Sequence, residues 1–205
     1  MPLPAEVKGL IFDCDGTLLD TMPLHWKAWC AICKETGLKF DKESFFALAG
    51  VPGREIIREL ANQQGINLDP LEVYARKRSF FLKGLQSVKI IPCVVRFVLE
   101  ARRLGIPTAV ASGSSRVQVE QALIEAGIRD LFDEIVGNED YQNAKPHPDA
   151  FLTAAERLGI NPHDCWAFED SDIGIEAIKR ANFAKFVDVR LLEGYPVEGR
   201  LESKG

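Results

Sequence analysis

From Pro92 to Val189 the chain alternates short apolar runs with amphipathic stretches of roughly ten residues, and few folds accept that alternation. The runs Pro107-Thr108-Ala109-Val110-Ala111, Glu134-Ile135-Val136, Cys165-Trp166-Ala167-Phe168 and 184–189 read as strands. Helices are predicted over Val94–Leu104, Val117–Ala126, Asp149–Leu158 and Ile173–Ala181, and Gly105, Gly127 and Gly159 close the first three. An apolar run over 8–12 adds a strand near the start. Strands separated by single helices imply a doubly wound parallel sheet, an α/β fold.

The first strand and Pro92 are separated by a different pattern. From Met22 to Leu85 the sequence reads as helix without strand. Leu24, Ala28, Ala31 and Ile32 recur at helical spacing until Gly37, and Asp41 and Asp69 can each cap a following helix. Gly50-Val51-Pro52-Gly53 reads as a loop, with helices after it through Ile56, Ile57 and Leu60 and again from Val73 to Leu85. The expected organisation is a Rossmann-like core of residues 1–20 and 88–205, with a small helical cap of 21–87 inserted after the first strand. The stretch after Arg190 is polar and glycine-rich and is expected to be loosely held.

The 205 residues carry 27% charged and 46% hydrophobic side chains, a globular composition with room for a sizeable core. A net charge of −5 argues against coating nucleic acid. No apolar stretch approaches a membrane span, and Met1–Glu6 lacks the basic-then-apolar pattern of a signal peptide. Five cysteines suit a reducing cytosol, so a cytoplasmic location is expected. Cys30 and Cys33 sit in mid-helix without a second pair, which reads as structural.

The polar residues at the strand ends carry the chemistry. Strand one ends at Asp13 and Asp15, strand two at Ser112 and strand four at Glu169 and Asp170, while Lys145 lies in the loop after strand three. Open parallel sheets bind ligands outside the carboxyl ends of their strands, so these groups converge on one edge. Clustered carboxylates repel unless a cation or a proton intervenes, and oxygen ligands suit Mg²⁺. Backbone N–H groups of the Ser112-Gly113-Ser114 turn suit a phosphate at a helix N-terminus. The nucleophile candidates are Asp13, Ser112 and water. No His or Cys stands ready to activate Ser112, whereas a carboxylate is already ionised at neutral pH.

Asp13-Cys14-Asp15-Gly16-Thr17-Leu18 resembles the D-x-D-G-T-L motif of the haloacid dehalogenase superfamily. Ser112, Lys145-Pro146 and Glu169-Asp170-Ser171-Asp172-Ile173-Gly174-Ile175 are similar to its second, third and fourth motifs, in order. The helical insertion resembles the cap of the subgroup holding β-phosphoglucomutase and small sugar-phosphate phosphatases.

The resemblance implies that Asp13 is the nucleophile, forming an aspartyl-phosphate. Asp15 would protonate the leaving oxygen and then activate water. Asp13 and Asp170 would hold Mg²⁺ by side chains, Asp15 by its carbonyl, and Glu169 directly or through water. Ser112, Gly113 and Lys145 would bind the phosphoryl group, with Lys145 also offsetting repulsion. From the cap, His25 and Arg54 are candidate substrate contacts, and one of Arg76, Lys77 and Arg78 could reach inward. Trp26 and Trp29 read as cap core.

The cap loop of the mutase carries a lysine and an arginine around its Gly-Val motif. Here Ala49 stands at the lysine position and Arg54 is displaced by a residue. The ending Asp188-Val189-Arg190-Leu191-Leu192 looks more like bacterial phosphatases acting on fructose 1-phosphate and 6-phosphogluconate. The expectation is a Mg²⁺-dependent phosphatase of small phosphorylated metabolites; the alternatives are a β-phosphoglucomutase and a non-catalytic binding module. The exact substrate and the oligomeric state are not legible in the sequence.

Overall fold

A computed structural model describes residues 3–196. Five parallel strands form one sheet: β1 (Gly9–Phe12), β2 (Thr108–Ala111), β3 (Glu134–Val136), β4 (Cys165–Glu169) and β5 (Lys185–Asp188), in the order β3-β2-β1-β4-β5. Both faces of the central strands are buried, which explains their unbroken apolar runs. Alternate residues serve opposite faces. Leu10, Phe12, Val110 and Phe168 pack with helices α5 (Pro92–Leu104) and α6 (Arg116–Glu125) through Phe97, Val98, Val119 and Leu123. Ile11, Ala109, Ala111 and Ala167 pack with α7 (Asp149–Leu158) and α8 (Asp172–Arg180) through Phe151, Ala154 and Ile178.

Between β1 and α5 lie α1 (Met22–Thr36), α2 (Lys42–Ala47), α3 (Gly53–Gln64) and α4 (Pro70–Lys83). Asp41 accepts from the Ser44 N–H at 2.7 Å and Asp69 from the Leu71 N–H at 2.8 Å, so both expected caps start helices. Pro70 at the first position then begins α4 three residues before the apolar pattern does. These helices bury Trp29, Ile32, Phe45, Ile56, Ile57 and Val73 in a cluster of their own. Ala28 and Phe81 instead join the main core, so the base of the insertion is continuous with it. The two chain crossings run side by side: the Asp20 N–H donates to the Lys89 carbonyl at 2.9 Å and the Ile91 N–H to that of Leu18 at 2.8 Å.

The stretch after Arg190 is better anchored than its composition implies. Tyr195 donates its hydroxyl to the Gly16 carbonyl and packs with Leu192 against the main core. The expectation for residues 197–205 lies outside the described residues, as does that for Met1 and Pro2.

Candidate active site

β1 is flanked by β2 on one side and β4 on the other, so the loops leaving β1 and β4 diverge and open a crevice at their carboxyl ends. Asp13 follows β1, and its N–H donates to the Phe168 carbonyl at 3.0 Å. Glu169 ends β4 and Asp170 follows it. Asp13, Glu169 and Asp170 offer carboxylate oxygens within 4.8 Å of one another. Into this cluster the loop after β3 sends Lys145, whose ammonium donates to Asp13 Oδ1 at 2.6 Å, Glu169 Oε2 at 2.7 Å and the Ala111 carbonyl at 3.4 Å. Burial opposes charge on Lys145, but Asp13 and then Glu169 override it and raise its pKa above the usual lysine value.

One ammonium does not balance these carboxylates. Burial first, and then the Glu169 charge, push the Asp13 carboxyl well above its usual range. The same two causes raise Asp170 to about 8, although the Thr17 hydroxyl, 3.1 Å away, opposes them. A buried, oxygen-only set with surplus negative charge fits a hard divalent cation, so Asp13 and Asp170 are suited to hold Mg²⁺. Glu169 is more committed than the sequence implies. Its Oε1 accepts from the Asp170 N–H, the Ser171 N–H and the Ser171 hydroxyl at 2.8–3.0 Å, and its Oε2 from Lys145. A carboxylate so saturated orients its neighbours and meets a cation more readily through water. Gly174 leaves it room: a Cβ there would collide with the Glu169 carboxylate.

The chain turns after Asp13, so Asp15 faces the insertion and stands outside the carboxylate cluster. Its Oδ1 accepts from Thr21 at 2.7 Å and meets His25 Nε2 at 3.0 Å, and its Oδ2 accepts from Ser114 at 2.8 Å. Burial alone would raise the Asp15 carboxyl. The charge and hydrogen bond of His25, then the Thr21 and Ser114 hydroxyls, outweigh it and hold the group well below the usual carboxylate range. His25 Nδ1 lies 3.2 Å from the Lys77 ammonium. Burial and the Lys77 charge lower the His25 pKa below 6.5 against the pull of Asp15. A neutral ring protonated on Nε2 satisfies both partners: Nε2–H donates to Asp15 and Nδ1 accepts from Lys77, a tautomer assigned from these contacts. Burial lowers Lys77 itself to about 8, against the attraction of Asp15.

Ser112 is buried, and its Oγ accepts from the Ser114 N–H at 3.0 Å, which leaves its hydroxyl proton for another acceptor. Of the amides in the Ser112-Gly113-Ser114 turn, the Ser112 N–H donates to the Val136 carbonyl at 3.0 Å. The Ser114 N–H is taken by the Ser112 hydroxyl and the Arg116 N–H by the Glu139 carboxylate. Gly50 of the insertion sits directly over Gly113, where a Cβ would strike the Gly50 carbonyl.

Closed in this way, the crevice has a free volume of about 60 Å³. Asp13, Asp15, Ser112, Gly113, Glu169 and Asp170 line it from the core. Trp29, Phe45, Leu48 and Ile56 give the insertion's side an apolar wall, with Met22, His25, Tyr74 and Lys77. Of the two expected cap contacts, His25 is brought in and Arg54 is not. Arg54 is exposed and does not line the cavity, because α3 turns Gly53 and Ile56 inward and the residue after Gly53 points about 100° away. Lys77 is the member of the 76–78 triplet that reaches inward, while Arg76 is exposed and 3.7 Å from Glu35. Trp29 serves both the insertion's core and the cavity wall. Ser171 caps α8 through the Gly174 N–H, and Asp172 pairs with Arg190 at 2.6 Å.

The sequence carries no signal that the Thr17, Thr21 and Ser114 hydroxyls bond the carboxylates or that Tyr74 lines the cavity. Lys77 had a visible signal, since it replaces an apolar residue between Val73 and Phe81 at four-residue spacing.

A haloacid dehalogenase-like hydrolase profile matches residues 7–182. The chain belongs to that family. Among relatives, it is 37% identical over 184 residues to the fructose-1-phosphate phosphatase YqaB of Escherichia coli, covering 90% of this chain and 97% of that protein. It is 31% identical over 183 residues to the β-phosphoglucomutase of Bacillus subtilis, covering 85% and 80%. Among solved structures, CbbY from Rhodobacter sphaeroides in complex with phosphate superposes with a TM-score of 0.79 at 28% identity, covering 94% of this chain and 92% of that one. The family therefore includes phosphatases and a mutase with this architecture, and the strand-end cluster is the part of the chain that carries the family's motifs.

Proposed function

We propose that this hydrolase is a Mg²⁺-dependent phosphatase of small phosphorylated metabolites, sugar phosphates foremost. Residues 21–87 act as a cap over a core of 1–20 and 88–205. The observation that carries the reading is the buried Asp13–Lys145–Glu169–Asp170 cluster opening onto a cavity lined by Ser112 and Asp15.

Asp13 attacks phosphorus and the bond to the leaving oxygen breaks, leaving an aspartyl-phosphate. Asp13 and Asp170 would hold Mg²⁺ by their side chains and Asp15 by its carbonyl, and the ion would supply positive charge to the equatorial oxygens. Lys145 fixes Asp13 and removes part of its repulsion from the incoming anion, and Ser112 donates its proton to a phosphoryl oxygen. His25, Thr21 and Ser114 hold Asp15 ionised in the resting geometry. A phosphoryl dianion beside it raises its pKa, so it takes up a proton from solvent and delivers that proton to the leaving oxygen. It then takes a proton from the water that hydrolyses the intermediate.

Phosphatase is favoured over mutase by the cap side of the cavity. A mutase needs a second anion site there. Among the described residues lining the cavity, Lys77 is the one lysine or arginine, and it is engaged by His25. Fructose 1-phosphate is the first substrate to try, on the strength of the similarity to YqaB.

The test is orthophosphate release from fructose 1-phosphate, β-glucose 1-phosphate and p-nitrophenyl phosphate, with Mg²⁺ and with a chelator. The proposal expects Mg²⁺-dependent release. Isomerisation of β-glucose 1-phosphate faster than its hydrolysis would replace it with the mutase, and release undiminished by chelation would remove the metal.

A further inference from the structure

Gly16, the residue after Asp15, is pressed against the carboxylate cluster. Its backbone takes a φ of 87°, and a Cβ there would collide with Asp170 Oδ2, so the bare Cα lies directly on that carboxylate. The next residue grips the other oxygen: the Thr17 hydroxyl donates to Asp170 Oδ1 at 3.1 Å. Asp170 is therefore seated on the Gly16–Thr17 peptide, and its aim follows the orientation of that peptide. The peptide is held at both ends. Its N–H, that of Thr17, donates to the Cys14 carbonyl at 3.3 Å, and its carbonyl, that of Gly16, accepts from the Tyr195 hydroxyl. The first bond is long for an N–H donor, so the Tyr195 hydroxyl is the firmer hold. Tyr195 lies beyond residues 7–182, the stretch that matches the family profile. Its half-buried ring packs with Leu192 against the main core, so the hydroxyl is delivered from a fixed base.

We propose that Tyr195 is a positioning residue for the metal site: by fixing the Gly16–Thr17 peptide it sets the Asp170 carboxylate for a divalent cation. The inference rests on the Mg²⁺ reading above. It adds that affinity for the ion depends on a hydroxyl two residues removed from it, supplied from outside the family's motifs. Groups that orient a ligand tune a metal site almost as strongly as the ligands do. The role is separable from anchoring, because Tyr195→Phe keeps the ring's packing and removes only the donor.

The test is calorimetric titration of Mg²⁺ into the full chain without substrate, for wild type, Tyr195→Phe, Thr17→Val and the double variant. The thermal midpoint of each is read in chelator. Loss of one hydrogen bond that acts through a second residue predicts about a three- to tenfold weaker Mg²⁺ affinity for Tyr195→Phe. Turnover of p-nitrophenyl phosphate at limiting Mg²⁺ should fall in the same proportion, while the metal-free thermal midpoint stays close to wild type. Thr17→Val should lose at least as much affinity. In its background Tyr195→Phe should cost less than in wild type, since both act on Asp170 through one peptide. Equal Mg²⁺ affinity in Tyr195→Phe and wild type would overturn the proposal, and so would losses that multiply in the double variant. A lower metal-free midpoint with unchanged affinity would make Tyr195 an anchor only and overturn it as well. Because the titration needs no substrate, a wild type that binds Mg²⁺ but releases no phosphate would sink the phosphatase reading and leave this comparison intact. A wild type that binds no Mg²⁺ would overturn the inference.

Discussion

The two walls of the cavity are built on opposite electrostatic plans. The core wall concentrates charge: Asp13, Glu169 and Asp170, each at the end of a strand, gather round one fully buried ammonium. The insertion's wall is mostly apolar, with Trp29, Phe45, Leu48 and Ile56, and its ionisable groups form one short chain from Lys77 through His25 to Asp15. Under the proposed function, the core wall would hold the reacting anion whatever carries it. The insertion's wall would sort what the anion is attached to and set the protonation of Asp15. Chemistry and selection would then rest on different layers of the fold and meet at Asp15.

The sharpest way to break this division is at the nucleophile. Asp13→Asn should lower turnover by roughly four orders of magnitude or more, as removal of a covalent nucleophile does in other hydrolases. Steady-state phosphate release checks it, and residual activity near wild type would reassign the attack. Asp15→Asn should cost roughly 10²–10⁴-fold, the usual contribution of a general acid–base group, while the fold is kept. A loss as complete as that of Asp13→Asn would give Asp15 more than proton transfer.

Lys145→Met tests the core wall as structure. Removing the cation leaves buried carboxylates without a partner, so destabilisation of about 3–5 kcal/mol is expected in denaturant titration without metal. Added Mg²⁺ should recover part of it.

The smallest effect expected is Lys77→Met, read by NMR titration of His25. Lys77 is among the causes that depress that histidine, so its pKa should move up toward 6.5. The sign follows through to stability. In the wild type the unfolded His25 takes a proton near 6.5 and the folded one only lower, so His25 costs stability as pH falls through 6.5. In Lys77→Met that acid-side loss should be shallower. A His25 pKa that stays put would mean burial alone sets it.

The same division explains what the sequence disclosed. All five strands and the four core helices were legible, because each is a short apolar or amphipathic segment closed by turn chemistry, and chemistry at the ends of parallel strands converges by topology alone. Asp13, Ser112, Glu169 and Asp170 needed no tertiary knowledge beyond that rule. Arg54 and Tyr74 did. Which residue of a surface helix faces a cleft depends on the helix's rotation about its axis, which its neighbours set after packing: α3 presents Gly53 and Ile56 and turns Arg54 away. Lys77 was readable in principle as a charge on an apolar stripe. The sequence leaves Glu169 open between direct and water-mediated metal contact, because it shows a carboxylate and not the four donors that bond it.

The paired crossings at 18–20 and 89–91 have a mechanical consequence. A single tether would let the helical part tumble; two tethers bonded to each other would confine any swing of it to one axis, like a door over a fixed threshold. With that freedom reduced to one angle, each return of the door should bring His25 back to Asp15 and Gly50 back over Gly113 in the same register, turnover after turnover.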